Sequence, residues 1–373
     1  MLTGSGSPRT QSVSIFGHTC DMPIVVAPTA MAGLVWYQSE RELAKAAAAS
    51  GIPFGAAMQA ISSVEEITAA SPGQVWFQLY FFGENEQSSE ELARDLSRRA
   101  WNKGVRTLVV TMPVPGNREY RIRNGFEMPI RYSARNLYDV AAHPRWTVGV
   151  FARYLAAGRG PAFTNCPVYH RCSILSRKKP LGLMPGLSWD HIRRLRDTWK
   201  GNFVVKGILR PDDAILAAKR GADGIVVSDH GGRRFDSAVA PIQVLAEIVD
   251  EVGQQLTVIA DSGVRRGSDI LKFLAMGAKA VMIGRGLLYG TAVGGMSGAT
   301  RMIEILRREL DTVMAMTGCI HSRDLNRDYL EISGSWGDHD RRANAAILGD
   351  AGSVSAATES EQLAEAKNVT EQS

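Results

Sequence analysis

Gly224-Ile225-Val226-Val227-Ser228-Asp229-His230-Gly231-Gly232-Arg233-Arg234 reads as an apolar strand that ends at an imidazole, two glycines and two guanidinium groups. An unbroken apolar run suits a strand buried on both faces, the condition of a parallel sheet. The residues after it put a titratable base and fixed cations at the strand's C-terminal end, where glycines let a ligand approach the backbone. Taken alone, the stretch is equally compatible with a strand-to-loop turn carrying a hydrogen-bonded histidine and solvated arginines. The surrounding chain has to decide between them.

On both sides the same alternation of apolar strand and helix recurs. Strands are expected at 22–27, 53–57, 75–80 and 107–111, and again at 203–206, 224–228, 257–260 and 280–283. Ser39-Glu40-Arg41-Glu42 has the spacing of a capping box and opens an alanine-rich helix to about residue 50, with Gly51 as its stop. Ser62-Ser63-Val64-Glu65-Glu66 starts the second helix. Others are expected at 88–103, 188–200, 211–220, 241–252, 267–276 and 298–316, Pro211 standing where a first helical turn tolerates proline. Eight strand–helix units argue for an α/β fold of the closed (β/α)8 TIM-barrel kind, because parallel strands need crossover helices. A doubly wound open sheet is the runner-up. The barrel is favoured because Gln78, Tyr80, Thr111, Lys206, Ser228, His230, Asp261, Gly284 and Arg285 all fall at or just past strand C-termini, and a barrel gathers those ends on one face.

The expected organisation is a lead segment at 1–21, the barrel at 22–330 with a long loop at 112–187 after its fourth strand, and a tail at 331–373. The tail's Ser, Ala, Glu and Gln bias predicts disorder. The 373-residue chain is 45% hydrophobic, with no apolar run long enough to span a bilayer and no signal-peptide pattern at its start. That composition points to a cytoplasmic globular protein. Its four cysteines, Cys20, Cys166, Cys172 and Cys319, form no disulfide framework, and the spacing of Cys166, His170 and Cys172 fits no common zinc site, so no metal is expected. The net charge of +5 is local: Arg145, Arg153, Arg159, Arg171, Arg177, Lys178 and Lys179 lie in one acid-free segment, and taking those seven away leaves −2. This argues against a nucleic-acid-binding surface.

Two loops carry the chemistry of anion binding. After the seventh strand comes Asp261-Ser262-Gly263-Val264-Arg265-Arg266-Gly267, and after the eighth Gly284-Arg285-Gly286. Glycines open the backbone, helix N-termini favour negative charge, and arginine forks onto phosphate oxygens. These are the usual phosphate loops of a barrel. No Gly-x-Gly-x-x-Gly follows the first strand, so a mononucleotide is favoured over a dinucleotide. Lys206 needs a negative partner at the barrel mouth, a flavin's anionic side or, as a rival, a Schiff-base substrate. His230 can act as base, Arg233 can hold a carboxylate, and Tyr80 and Gln78 offer a hydroxyl and an amide.

With those residues in hand, the chain resembles the FMN-dependent L-2-hydroxy acid oxidases and dehydrogenases, the family of glycolate oxidase and of lactate and mandelate dehydrogenases. Ala27-Pro28-Thr29-Ala30-Met31, Gln78-Leu79-Tyr80, Val205-Lys206-Gly207, Ser228-Asp229-His230-Gly231-Gly232-Arg233, Asp261 to Gly267 and Ile283-Gly284-Arg285 occur in family order across roughly residues 17–329. The resemblance implies FMN held by Pro28, Thr29, Ala30, Gln78, Thr111, Lys206 and Ser228. Its phosphate would lie on Asp261, Ser262, Gly263, Val264 and Arg265 together with Gly284 and Arg285. It also implies His230 as base, Arg233 and Arg118 as the carboxylate clamp, Tyr80 on the substrate hydroxyl, and Lys206 at the flavin. The substrate would be a small 2-hydroxy acid, the final electron acceptor oxygen, a quinone or a cytochrome, and the protein a homo-oligomer.

There are departures. The family's N-terminal tyrosine has no counterpart, and its Thr-x-Asp after the fourth strand reads Thr111-Met112-Pro113. Asp229 replaces the usual asparagine beside the histidine and is a candidate replacement carboxylate. Ala57, Met58 and Gln59 stand where the family often has serine and tryptophan, which implies a reshaped pocket. The basic segment at 145–179 interleaves Trp146, Phe151 and Tyr154 with its cations, a composition that suits either peripheral contact with an anionic membrane or a soluble lid.

Overall fold

The computed structural model describes residues 8–112, 133–158, 160–165, 173, 182–184, 186–233, 235 and 237–331. Arg118, Pro113, Arg234, His170, Cys166, Cys172 and the tail beyond residue 331 lie outside them. The chain divides into two units, Met1–Tyr329 and Leu330–Ser373, and the first holds the whole barrel.

Its centre is a closed eight-stranded parallel barrel in sequential order, which excludes the open doubly wound sheet. The strands are Ile24–Val26, Phe54–Ala57, Val75–Leu79, Thr107–Thr111, Asn202–Ile208, Gly224–Val227, Thr257–Asp261 and Ala280–Ile283. The last closes on the first, with Val281 opposite Ile24 and Ile283 opposite Val26. Nearly every strand residue is buried, as expected where helices cover one face and the barrel interior the other.

The interior shows why the rim is built as it is. Val25, Trp76, Val109, Val204, Val226, Ile259 and Met282 share one buried cluster. Strand side chains alternate faces, so the residue two positions on from each points the same way, one layer nearer the C-terminal rim. Those residues are Ala27, Gln78, Thr111, Lys206, Ser228, Asp261 and Gly284. An apolar plug thus lies directly beneath a polar layer.

The opposite end is closed by an element within the lead segment, for which the sequence pattern predicts no strands. Val13–Ile15 and His18–Cys20 pair as an antiparallel hairpin. Its two turn residues, Phe16 and Gly17, both have positive φ (49° and 79°), as a two-residue hairpin loop requires. The Phe16 ring lies 5.7 Å from that of Trp76. A Cβ on Gly224 would stand 2.8 Å from Phe16 Cζ, so glycine is needed there for the hairpin to seat. Cys20 is fully buried in this plug as a free thiol, and burial raises its pKa to about 11.

Two other expectations are corrected. Ser39 is the first residue of the helix Ser39–Ala49, and Gln38, in the left-handed conformation, takes the cap position, so the expected box between Ser39 and Glu42 does not form; Glu42 accepts from Lys45 instead. The box expected at the second helix does form, between Ser63 and Glu66. The final helix starts at Arg285, directly after the eighth strand, and runs to Thr317 with a break at Gly294 and Gly295. The first half escaped prediction because glycines at 286, 290, 294 and 295 weaken its pattern.

The long loop is also more ordered than expected. It contains the helix Ala134–Ala142 and a helical run from Pro144 to Ala156 whose middle, Thr147–Ala152, is π-wound. The run docks on the loops after the first two strands. Trp146 Nε1 donates to Leu34 O at 2.7 Å, Tyr154 Oη accepts from Gln38 N at 3.0 Å, and the Tyr37 and Tyr154 rings are 4.7 Å apart. Asn165 Oδ1 accepts from Val64 N at 2.6 Å, and its Nδ2 donates to Ala57 O at 3.1 Å.

Glu40 joins the two loops on which this segment rests. Its side chain is buried; Oε1 accepts from Gly33 N (2.8 Å) and Ile61 N (3.1 Å), and Oε2 from Ser62 Oγ (3.2 Å). Burial pushes its pKa above the ordinary carboxyl value, and the hydrogen bonds oppose this only in part. The folded state therefore holds this proton to higher pH than the unfolded chain. The stability so contributed is full below the unfolded carboxyl pKa of about 4.3 and is lost as pH rises through the raised folded value. Glu40→Gln keeps Oε1 for both N–H groups and can donate to Ser62, so it should flatten that pH dependence. Glu40→Ala strands two buried N–H groups and should cost about 2–4 kcal/mol. Urea denaturation of the three proteins across roughly pH 4 to 8 reads both effects.

Candidate active site

The polar layer at the C-terminal rim is hydrogen-bonded around the barrel. Gln78 Nε2, on the third strand, donates to Thr111 Oγ1 on the fourth at 3.1 Å. Lys206 Nζ, on the fifth, donates to Ser228 Oγ at 2.6 Å and pairs with Asp261 Oδ2 on the seventh. The lysine is 6% and the aspartate 7% exposed. The anionic partner expected of a flavin or a substrate is thus, in the protein itself, Asp261. A buried ammonium needs such a partner. Gly207, with φ 106°, forms a bulge just after Lys206, re-aiming the strand end where the catalytic candidates stand.

His230 sits on the short turn His230–Gly232. Its backbone N–H donates to Ser228 Oγ at 3.1 Å, and its Nε2 lies 3.2 Å from Tyr80 Oη. Tyr80 also stands edge-on to Phe82, with centroids 5.6 Å apart. A base candidate and a hydroxyl from the third and sixth strands are therefore in contact. Asp229 does another job than the one suggested for it: Oδ1 accepts from Gly231 N (2.7 Å) and Gly232 N (3.1 Å), capping the turn. Arg233 comes next, exposed at the rim.

His230 (φ 61°) and Ser262 (φ 78°) are two of the five non-glycine residues with positive φ among the described residues. Each such conformation costs about 1–2 kcal/mol, and strain of this kind collects where surrounding contacts over-determine it. Here the contacts are visible. Ser262 Oγ donates to Asp261 Oδ1 at 2.7 Å and accepts from Gly231 N at 3.0 Å, while Arg285 Nη2 donates to Gly231 O at 2.6 Å.

The two anion loops differ. The helix Gly267–Ala275 is satisfied internally: Asp269 Oδ2 accepts from Arg265 N (2.9 Å) and Arg266 N (3.0 Å), and Glu309 Oε2 from Gly267 N (2.8 Å). The amides of Arg265, Arg266 and Gly267 are thus taken by carboxylates of the chain itself. The helix Arg285–Thr317 has no side-chain cap. A Cβ on Gly284 would lie 3.7 Å from both Ala27 Cβ and Thr29 Oγ1, which brings the Pro28-Thr29-Ala30 loop beside the eighth-strand glycine. Val264 is buried, and nothing stands within 4 Å of a Cβ on Gly263. An uncapped helix end, open glycines, Arg285 and a buried lysine fit the phosphate and ring of a mononucleotide flavin in charge and in access.

The model of the FMN-dependent dehydrogenase family matches residues 2–332. The chain belongs to that family. Its cofactor is accordingly FMN, and it is an oxidoreductase acting on CH–OH donors. Over 336 residues it is 35% identical to (S)-mandelate dehydrogenase of Pseudomonas putida, covering 88% of this chain and 81% of that one. Over 328 residues it is 37% identical to L-lactate dehydrogenase of Caulobacter vibrioides, covering 86% and 82%. Among solved structures it is similar to the monotopic membrane protein (S)-mandelate dehydrogenase, with TM-score 0.78, 35% identity and coverage of 88% and 85%. It is also similar to a mandelate oxidase with bound 3,3-difluoro-2-hydroxy-3-phenylpropionic acid, at TM-score 0.67, 32% identity and coverage of 88% and 82%.

Of the predicted site residues of this FMN-dependent dehydrogenase, all but Arg118 lie among the described residues. Direct contacts join Gln78 to Thr111, Tyr80 to His230, and Lys206 to Ser228 and Asp261. Glu86, Glu90 and His191 also lie close together on the outer helices. There Ser188 N donates to His191 Nδ1 at 3.1 Å, which makes Nε2 the protonated nitrogen in the neutral ring, and it faces Glu86 at 2.9 Å. Arg194 bridges both glutamates. A proton and a guanidinium fill the place a cation would take, so this cluster is an ion-pair network. The roles of Ser262 and Asp269 were missed as such, because their partners are fixed only by the meeting of separate loops.

Because the Lys206–Asp261 pair is buried, removing one partner strands the other. Lys206→Met should lower stability by about 3–5 kcal/mol, and Lys206→Met with Asp261→Asn by less than that. Urea denaturation of the proteins without added cofactor measures the difference.

Proposed function

We propose that this chain oxidises an L-2-hydroxy acid, mandelate-like or lactate-like, to the 2-keto acid. The contact between Tyr80 Oη and His230 Nε2 at a rim that also carries the Lys206–Asp261 pair supports this most directly. Bound FMN supplies a two-electron acceptor. Pro28, Thr29, Ala30, Gln78, Thr111, Lys206 and Ser228 would hold its ring and ribityl chain. Asp261 to Arg265, with Gly284 and Arg285, would hold the phosphate. The substrate gives up two electrons and two protons; the electrons would pass with one proton to the flavin, and His230 takes the other at Nε2, the nitrogen that faces Tyr80. Tyr80 holds the substrate hydroxyl, and Arg233, with Arg118, pairs with the carboxylate. A fixed guanidinium opposite the carboxylate orients the C2 centre toward the base, which is where positioning gains rate.

The test is anaerobic reduction of the bound flavin across a panel of L-2-hydroxy acids. The wild type should bleach with at least one of them, and reoxidation by oxygen, a quinone or a cytochrome identifies the acceptor. His230→Asn should stay yellow and be reduced about 10²–10⁴-fold more slowly. A yellow wild-type protein that no hydroxy acid bleaches would instead make this a flavin-binding barrel with altered chemistry. A colourless one that cannot take up FMN would overturn the site assignment.

We infer further that the helical segment of the long loop meets a membrane surface. Leu137, Tyr138, Val148 and Leu155 are 50–74% exposed on it, beside Arg135, Arg145 and Arg153. Apolar side chains at the surface interleaved with cations match an anionic interface, and no helix among the described residues is long and apolar enough to cross a membrane. Cosedimentation with anionic vesicles should fall in Leu137→Ser with Tyr138→Ser and Val148→Ser, and in high salt. Equal sedimentation of wild type and variant would favour a lid with no membrane role.

A further inference from the structure

We propose that Ser262 is a positioning residue for His230, tying the turn that carries the histidine to the ion-paired end of the seventh strand. The inference rests on the reading of His230 as base. Asp261 can only accept, and its Oδ2 is taken by Lys206, so the Ser262 hydroxyl proton goes to Oδ1 at 2.7 Å. That orients the oxygen's lone pairs outward, and one of them receives the N–H of Gly231 at 3.0 Å.

The same N–H also reaches Asp229 Oδ1 at 2.7 Å. That bond closes the turn on itself but does not anchor it to the barrel. Among the described residues, backbone ties that leave the turn include Ser262 to Gly231 N, Arg285 to Gly231 O and Ser228 Oγ to His230 N, and the His230 ring adds its contact with Tyr80. Ser228 in turn accepts from Lys206. The amides of two successive residues, His230 and Gly231, thus both lead back to one buried pair, Lys206 and Asp261. With φ at 78°, Ser262 holds a conformation that glycine would take without strain. A serine kept there is accounted for by its hydroxyl.

Glycine therefore separates positioning from stability. In the full-length FMN-loaded protein, Ser262→Gly should melt at the same temperature as wild type or higher, since it relieves the backbone while removing the tie. Exchange of the Gly231 amide should become about tenfold faster. The limiting rate of flavin reduction by the best hydroxy acid, measured with FMN saturating, should fall by a similar factor. Ser262→Ala, which loses the tie and keeps the strain, should match it in exchange and reduction but melt lower. Unchanged reduction kinetics in Ser262→Gly, with or without faster exchange, would overturn the positioning role, and unchanged exchange would overturn the tie itself. If no hydroxy acid reduces the wild-type flavin, it is the reading of function that fails. The exchange of Gly231 still decides whether Ser262 anchors the turn.

Discussion

The two-residue period of a β-strand inside a closed cylinder is the constraint that builds the site. Each strand turns alternate side chains inward, so Trp76, Val109, Val204, Val226, Ile259 and Met282 form one apolar layer. Gln78, Thr111, Lys206, Ser228, Asp261 and Gly284 are forced into the next. Below them lie packed side chains and the Phe16 hairpin, so the polar layer can meet solvent or ligand only at the C-terminal rim. A low-dielectric floor strengthens every charge interaction above it and makes any unpaired charge costly.

Within that layer the Lys206–Asp261 pair acts as a hub. The pair itself spans the fifth and seventh strands, Ser228 joins it from the sixth, and Ser262 carries it to the turn holding His230. Two strained residues, His230 and Ser262, are held by this network rather than by local preference. A surface turn with solvated arginines would have no such set of ties.

The insertion after the fourth strand uses a different principle. Its helical run buries Val150 and Tyr154 against Ile61, and Trp146 and Tyr37 pack at the edge of that cluster. The run thereby covers the loops after the first and second strands, which Glu40 joins from beneath. The side chains left outward, Leu137, Tyr138, Val148 and Leu155, are apolar and exposed. One segment thus braces the rim with one face and offers an apolar surface with the other.

The amino-acid sequence by itself determined the barrel. Eight buried apolar runs, each followed by a helix, have one compact parallel solution, and residues such as Lys206, Ser228 and His230 declared themselves by standing just past strand ends. The second helix start was legible because Ser63 and Glu66 cap locally. Only the tertiary structure decided the features whose partners lie far along the chain. Glu40 stood inside an expected capping box and is a buried strut; Asp269 and Glu309 occupy a helix end that seemed open; the lead segment is a plug because Phe16 finds Trp76 and Gly224. Local sequence encodes backbone preference through short-range sterics and hydrogen bonds, whereas burial and pairing of a charge depend on which loops the closed cylinder brings together.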